Sequence, residues 1–145
     1  MSRDSFDLSR FVRAQAGENK LCPYEQVVSE LRAGEKVKHW IWYIFPILRG
    51  LGKSEESAYF GLGGVDEAES YLADPVLGGR LRECTGIIID LAPKPVSRIL
   101  FGDEWKFVNC MTLFEHVSPQ DLFTVGLDRC PPLSSNQTAR ILSRL

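Results

Sequence analysis

The segment KVKHWIWYIFPILRGLG, residues 36–52, decides the fold. It gathers two of the chain's three tryptophans and one of its two histidines into a short apolar run. The run turns at Pro46 and leaves through glycines. Val37, Trp40, Ile41, Ile44, Phe45 and Leu48 recur at steps of three and four, the spacing of one buried helical face. His39, Trp42 and Tyr43 fall on a second stripe, because residues three and four apart are neighbours on a helix. Pro46 disfavours the helical conformation at Phe45, so the helix is expected to stop or kink there. A strand would put Trp40 and Trp42 on one side and Ile41 and Tyr43 on the other. Helix is preferred, because the second face carries polar handles while the first is uniformly apolar. The second stripe either packs against another helix or lines a pocket, and aromatic residues more often fill a core.

Helical spacing continues on both sides. Toward the N-terminus, Asp7 is placed to cap a helix whose inward face is Leu8, Phe11, Val12 and Gln15, ending at Gly17. Pro23 opens a second helix with Tyr24, Val27, Val28 and Leu31 inward, closed by Gly34. After the aromatic segment, RGLGKSEES (residues 49–57) reads as a loop, and Gly61, Gly63 and Gly64 punctuate another. Arg49, Lys53 and Ser54 are groups that hold an anion against backbone N–H donors. GLGKS lacks the four-residue spacer of a phosphate-binding loop, and plain turn chemistry accounts for both stretches equally well.

Val65–Ala73 reads as a short helix. Asp74 and Pro75 then supply an N-cap and first-turn proline for a longer one, striped by Leu77, Leu81, Cys84, Ile88 and Leu91. GIIIDL, residues 86–91, is the one candidate strand, but it also continues that stripe. Gly78 and Gly79 lie in the first turn, where glycine costs stability, so a close approach by a neighbour or a ligand is expected there. Arg80 beside them is placed to clamp a phosphate or carboxylate, while Arg82 is expected to be solvated. A short helix follows at Val96–Leu100. Asp103 is expected to cap the next, with Phe107, Val108, Met111 and Phe114 inward, Lys106 close to Asp103, and Thr112 bonding back to the Val108 carbonyl. Ser118-Pro119-Gln120-Asp121 reads as a capping box, and Ser134 or Ser135 as the cap of a last helix. The expected fold is all-α: a compact multihelical single domain, residues 1–145, with about eight helices, several of them short.

Composition bounds the function classes. A chain of 145 residues, 44% hydrophobic and 25% charged, is an ordinary one-domain globule. Its net charge of −2 argues against a general nucleic-acid binder. No apolar run is long enough to span a membrane, and the charged start MSRDSFDLSR has no apolar signal core, so a cytoplasmic location is expected. The four cysteines form no CxxC or CxH pair. They read as reduced thiols, with no metal site and no cofactor motif.

Several blocks together carry a resemblance: FVRAQ (residues 11–15), KHWIWYIFP (38–46), GLGKS (50–54), EAESYLADPVLGGRL (67–81) and MTLF (111–114). In this combination the chain resembles a bacterial domain-of-unknown-function family, number eighteen-ten, some of whose members carry the label calpastatin, and it is similar to a mycobacterial form. The resemblance implies a compact multihelical fold and carries no established activity, cofactor or catalytic residue. The family pattern has glutamine and histidine where this chain has Ile47 and Asp74. Its Gly-to-Asp-x-x-Lys turn is shortened here to Gly102, Asp103 and Lys106, and Asn109 precedes Cys110.

Three functions compete. The first is binding of a small anionic or nucleotide-like ligand, with Trp42 and Tyr43 as stacking surface and His39, Arg49, Lys53, Ser54 and Arg80 holding charge. The second is an enzyme at the same pocket, with His39 as general base and Asp103, Lys106 or Arg80 stabilising charge. The third is a structural or protein-interaction domain in which the aromatic segment is simply core. No membrane partner and no general nucleic-acid partner is expected.

Overall fold

The computed structural model describes residues 6–133 and 135–145. Among these residues there are ten α-helices rather than eight. They are α1 (Ser9–Gln15), α2 (Tyr24–Arg32), α3 (Ile41–Ile44), α4 (Glu55–Phe60), α5 (Val65–Ala73), α6 (Pro75–Asp90), α7 (Val96–Leu100), α8 (Glu104–Val117), α9 (Phe123–Asp128) and α10 (Gln137–Leu142). No helix among them is long and apolar enough to cross a membrane. Among the described residues the one β-type pairing is an isolated parallel bridge between Leu48 and Leu62, and GIIIDL lies within α6 and its C-cap.

Helix α8 is the axis of the core. Every residue from 107 to 114 is buried, as expected of a helix surrounded by partners. Helices α5, α9 and α10 pack on it, and α6 packs on α5, α2 and α9. Phe45 meets Phe107 edge-on at 5.1 Å between ring centroids. Tyr71 joins Phe11 at 4.9 Å to Phe114 at 5.8 Å, so the aromatic rings link the two halves of the chain. Thr112 does donate to the Val108 carbonyl, at 2.7 Å.

The aromatic segment, residues 36–52, is helical only over four residues. Trp40, Ile41, Ile44, Phe45 and Leu48 are buried as their spacing required, but Val37 is 64% exposed. The cause is Glu30, on the inward face of α2. Its side-chain Oε1 accepts from the Val37 N–H (2.7 Å), the Lys38 N–H (3.0 Å) and the Trp40 indole (2.8 Å), and Oε2 accepts from the Gln26 amide (3.0 Å). The Lys36 N–H goes to the Ile99 carbonyl at 2.8 Å. The carboxylate and a distant carbonyl thus pin residues 36–40 to α2 and α7, and the helix begins only after Trp40.

Other caps also differ from the sequence reading. Asp7 accepts from the Ser9 hydroxyl and caps no backbone N–H of α1; on that helix Val12 faces outward, and Arg10 and Ala14 take the inward positions. Asp103 pairs with lysines instead of capping α8. Asp121 is occupied by Arg82, at 3.0 and 2.8 Å, so that arginine is paired and α9 starts later than the capping box implied. Asn136 caps α10 through the Ala139 N–H, replacing the expected serine; Ser134 lies outside the described residues. Asp74 caps α6 as expected, accepting from the Val76 and Leu77 N–H groups at 2.9 Å each.

The glycine pair in α6 divides. A Cβ on Gly78 would stand 2.0 Å from the Leu72 carbonyl oxygen, whereas one on Gly79 meets nothing within 4 Å. Gly78 is thus fixed by the close approach of α5. Gly78→Ala is expected to destabilise the protein by about 2 kcal/mol or more, and Gly79→Ala to stabilise it by about 0.5–1 kcal/mol. Paired urea denaturation curves check both signs.

Glu30 makes a second expectation. Its side chain is buried, which pushes its pKa up, but the hydrogen bonds from Trp40, Val37, Gln26 and Lys38 outweigh that and hold it below its ordinary value of 4.5. A carboxyl with a depressed folded pKa contributes stability that is present above its unfolded value and lost as pH falls through the folded one. Glu30→Gln should therefore cost about 3 kcal/mol near neutral pH. Below about pH 4 the gap between variant and native protein should narrow, and stability measured against pH checks it.

Candidate functional site

Beyond the Glu30 clamp the chain presents Lys38 and His39 to a cleft of about 450 Å³, whose other walls are residues 20–23 and Gln26. Lys20, Lys38 and His39 supply its cationic or titratable groups, Leu21 and Pro23 its apolar surface, and no lining residue is acidic. Asn19 and Lys20 both sit in the left-handed region, at φ 55° and 65°. That conformation costs a residue with a side chain about 1–2 kcal/mol. The Tyr43 hydroxyl, reaching out of the core, donates to the Cys22 carbonyl at 2.9 Å and ties this loop to α3. Burial raises the pKa of the Cys22 thiol, so the cysteine contributes no negative charge to the cleft.

The nine residues singled out from the sequence go to separate places. His39 is exposed in this cleft. Tyr43 is buried, its carbonyl accepting from the Gln15 amide at 2.8 Å, and it serves the cleft only through its hydroxyl. Trp42 is half-buried under Lys106, whose Nζ stands 3.8 Å from the ring centroid. Lys106 also pairs with Asp103 at 2.8 Å, and Asp103 with Lys36 at 3.2 Å. Trp42, Asp103 and Lys106 therefore do come together, as a satisfied network binding the start of α8 to the aromatic segment. Neither Asp103, Lys106 nor Arg80 lines the cleft that holds His39.

Arg80 lies over the Tyr24 ring at 4.3 Å and donates to the Gln15 side chain at 3.1 Å. Ser54 caps α4 by accepting from the Ser57 N–H, and Lys53 is exposed beside it. Arg49 reaches across to the Gly61 carbonyl at 3.1 Å. The two glycine loops do meet: Arg49 N–H donates to the Leu62 carbonyl at 2.8 Å and Leu62 N–H to the Ile47 carbonyl at 2.9 Å. A Cβ on Gly61 would be 2.6 Å from the Arg49 Cα, so that glycine is what lets the loops touch.

The sequence reading passed over Lys20, Lys38, Gln26 and Glu30. Glu30 had a signal: it shares the inward face of α2 with Val27 and Leu31, where a carboxylate must find donors. Lys20 and Gln26 carried none. Elsewhere, burial pushes the Cys84 and Cys130 thiols up to about 12 and holds Cys110 well above its ordinary value, so these are protonated at neutral pH. Among the described residues no group of three His, Cys, Asp or Glu side chains gathers to hold a metal ion.

The description "Protein of unknown function (DUF1810)" fits residues 5–142 of the chain. A crystal structure of the conserved hypothetical protein Rv1873 from Mycobacterium tuberculosis is similar, with 40% sequence identity and a TM-score of 0.81 over 88% of this chain and 89% of that one. No curated protein matches. With a family match over nearly its whole length and a relative of this identity sharing its fold, the chain belongs to the DUF1810 family of proteins of unknown function.

Proposed function

We propose that the protein binds a small anionic ligand in the cleft between residues 20–23 and Lys38–His39. The observation that carries this is the sign and setting of the charge. Two lysines and an imidazole line one concavity beside apolar Leu21 and Pro23, with no acidic side chain among the lining residues. A concave, partly apolar surface with a few convergent polar groups is the usual form of a small-molecule site. The left-handed backbone at Asn19 and Lys20 supports the same reading, since strain of this kind gathers where a ligand is held. The anionic group is taken by the ammonium and imidazole groups, and an apolar or ring-shaped body by Leu21 and Pro23. Nucleotides and sugar phosphates belong to that class.

Calorimetric titration with inorganic phosphate, phosphate monoesters, mononucleotides and dicarboxylates tests the reading. At least one of these anions is expected to bind, more weakly as salt is raised. Lys38→Gln and His39→Gln, both exposed positions, should each weaken it about tenfold, equivalent to about 1.4 kcal/mol, with the circular dichroism spectrum unchanged. Flat titrations across the panel, or binding indifferent to both variants, would overturn it.

A further inference from the structure

A second cleft, of about 340 Å³, lies where α1 meets the two glycine loops, well apart in its residues from the first. At its base Arg10 is 94% withdrawn from solvent and nearly saturated. It donates to the Tyr59 carbonyl (2.8 Å), the Asp7 carbonyl (2.5 Å), the Glu67 carboxylate (2.8 Å) and the Gly61 carbonyl (3.1 Å). Glu67 is saturated too, its other oxygen accepting from the Gly63 N–H at 2.7 Å. Arg49 converges on the same Gly61 carbonyl from the open side, at 3.1 Å. Two guanidinium groups thus share one acceptor, while the buried Glu67 carboxylate is committed to Arg10.

Among the described residues Arg49 has no carboxylate within ion-pair distance, and this exposed arginine lines the cleft with one of its nitrogens, Nη2, on the Gly61 carbonyl. On the same cleft stands Asp7, whose exposed carboxylate accepts from the Ser9 hydroxyl and lies 3.9 Å from Arg13. The Phe6 and Tyr59 side chains complete the wall. An acid on the rim repels a doubly charged phosphate, but it matches a ligand that carries a positive group beside its negative one.

We propose that this cleft binds a zwitterion of the α-amino-acid type, with its carboxylate on the Arg49 fork, its ammonium on Asp7 and an apolar side chain against Phe6 and Tyr59. The buried Arg10–Glu67 pair positions the site rather than touching the ligand. It pins α1, the carbonyls of Tyr59 and Gly61, and the N–H of Gly63 in one arrangement. Arg49 has the planar fork that a carboxylate takes in two parallel bonds.

Saturation-transfer NMR and calorimetry on the full chain test this, using leucine, phenylalanine, N-acetylphenylalanine, phenylalaninamide and inorganic phosphate as probes. Free phenylalanine or leucine is expected to bind, with the two blocked forms at least tenfold weaker. Arg49→Gln should weaken free amino acids at least tenfold and leave the weak binding of phenylalaninamide unchanged. Asp7→Asn should weaken free amino acids but not N-acetylphenylalanine. Both positions are exposed, and thermal unfolding verifies that each variant is folded. Absence of amino-acid binding at millimolar concentration, or binding indifferent to Arg49→Gln, would overturn the proposal. So would phosphate binding that exceeds phenylalanine binding and strengthens in Asp7→Asn, the behaviour of a plain anion site.

Discussion

One buried carboxylate sets the geometry on which the rest depends. Glu30 sits on the core face of α2, where an ionised group is tolerated only with full partnership. It obtains that partnership by taking two backbone N–H groups and the indole of a segment whose apolar spacing otherwise suits a helix. Three consequences follow from the single act. The helix is delayed to Ile41, Trp40 is locked into the core by both its ring and its nitrogen, and Lys38 and His39 are turned outward beside the 20–23 loop.

The same device recurs wherever short helices must be held to distant chain. Arg10 and Glu67 join α1 to α5 and the glycine loops. Asp103 gathers Lys36 and Lys106, which lie against Trp40 and Trp42 at 5.3 and 3.8 Å. Arg129, at the C-cap of α9, donates to the Ile88 and Lys94 carbonyls and ties α9 to the end of α6 and the loop after it. Asn109 accepts from both the N–H and the hydroxyl of Thr138 and seats α10 on α8. Five of the ten helices are six residues or shorter and would not persist alone. Apolar contact supplies their cohesion without direction, and these polar links fix where each one stops.

This explains what could and could not be read from the sequence. Helices α5, α6 and α7 were legible almost to the residue, because each pairs regular apolar spacing with local punctuation at its ends: Asp74 with Pro75, or Pro95 before Val96. The aromatic segment was legible as core, since Trp40, Ile41, Ile44 and Phe45 are all buried, but not in its backbone. Its departure from helix is decided by Glu30, six or more residues away. Capping failed where long-range charge pairs intervened, as Arg82 took Asp121 and Lys36 took Asp103. Charged residues on inward stripes, Arg10, Glu30 and Glu67, were the unread signal. Periodicity counts only what is apolar, so it overlooks a charge whose partner lies far along the chain.

The same bookkeeping of partners bears on Ile47 and Asp74, two of the positions that the sequence resemblance singled out. Ile47 is buried with the core cluster, and its carbonyl accepts from the Leu62 N–H that brings the glycine loops together. Asp74 spends its carboxylate on the first turn of α6. Neither residue lines the Lys38–His39 cleft or the Arg49 cleft. Ile47 puts an apolar side chain where the surroundings are apolar, and Asp74 is one of the residues that cap a helix best. Both residues act on how segments are seated, apart from the charged groups of both clefts. What position 47 contributes is therefore packing and what position 74 contributes is capping, so the seating of the helices and the charge of the clefts are set by different residues.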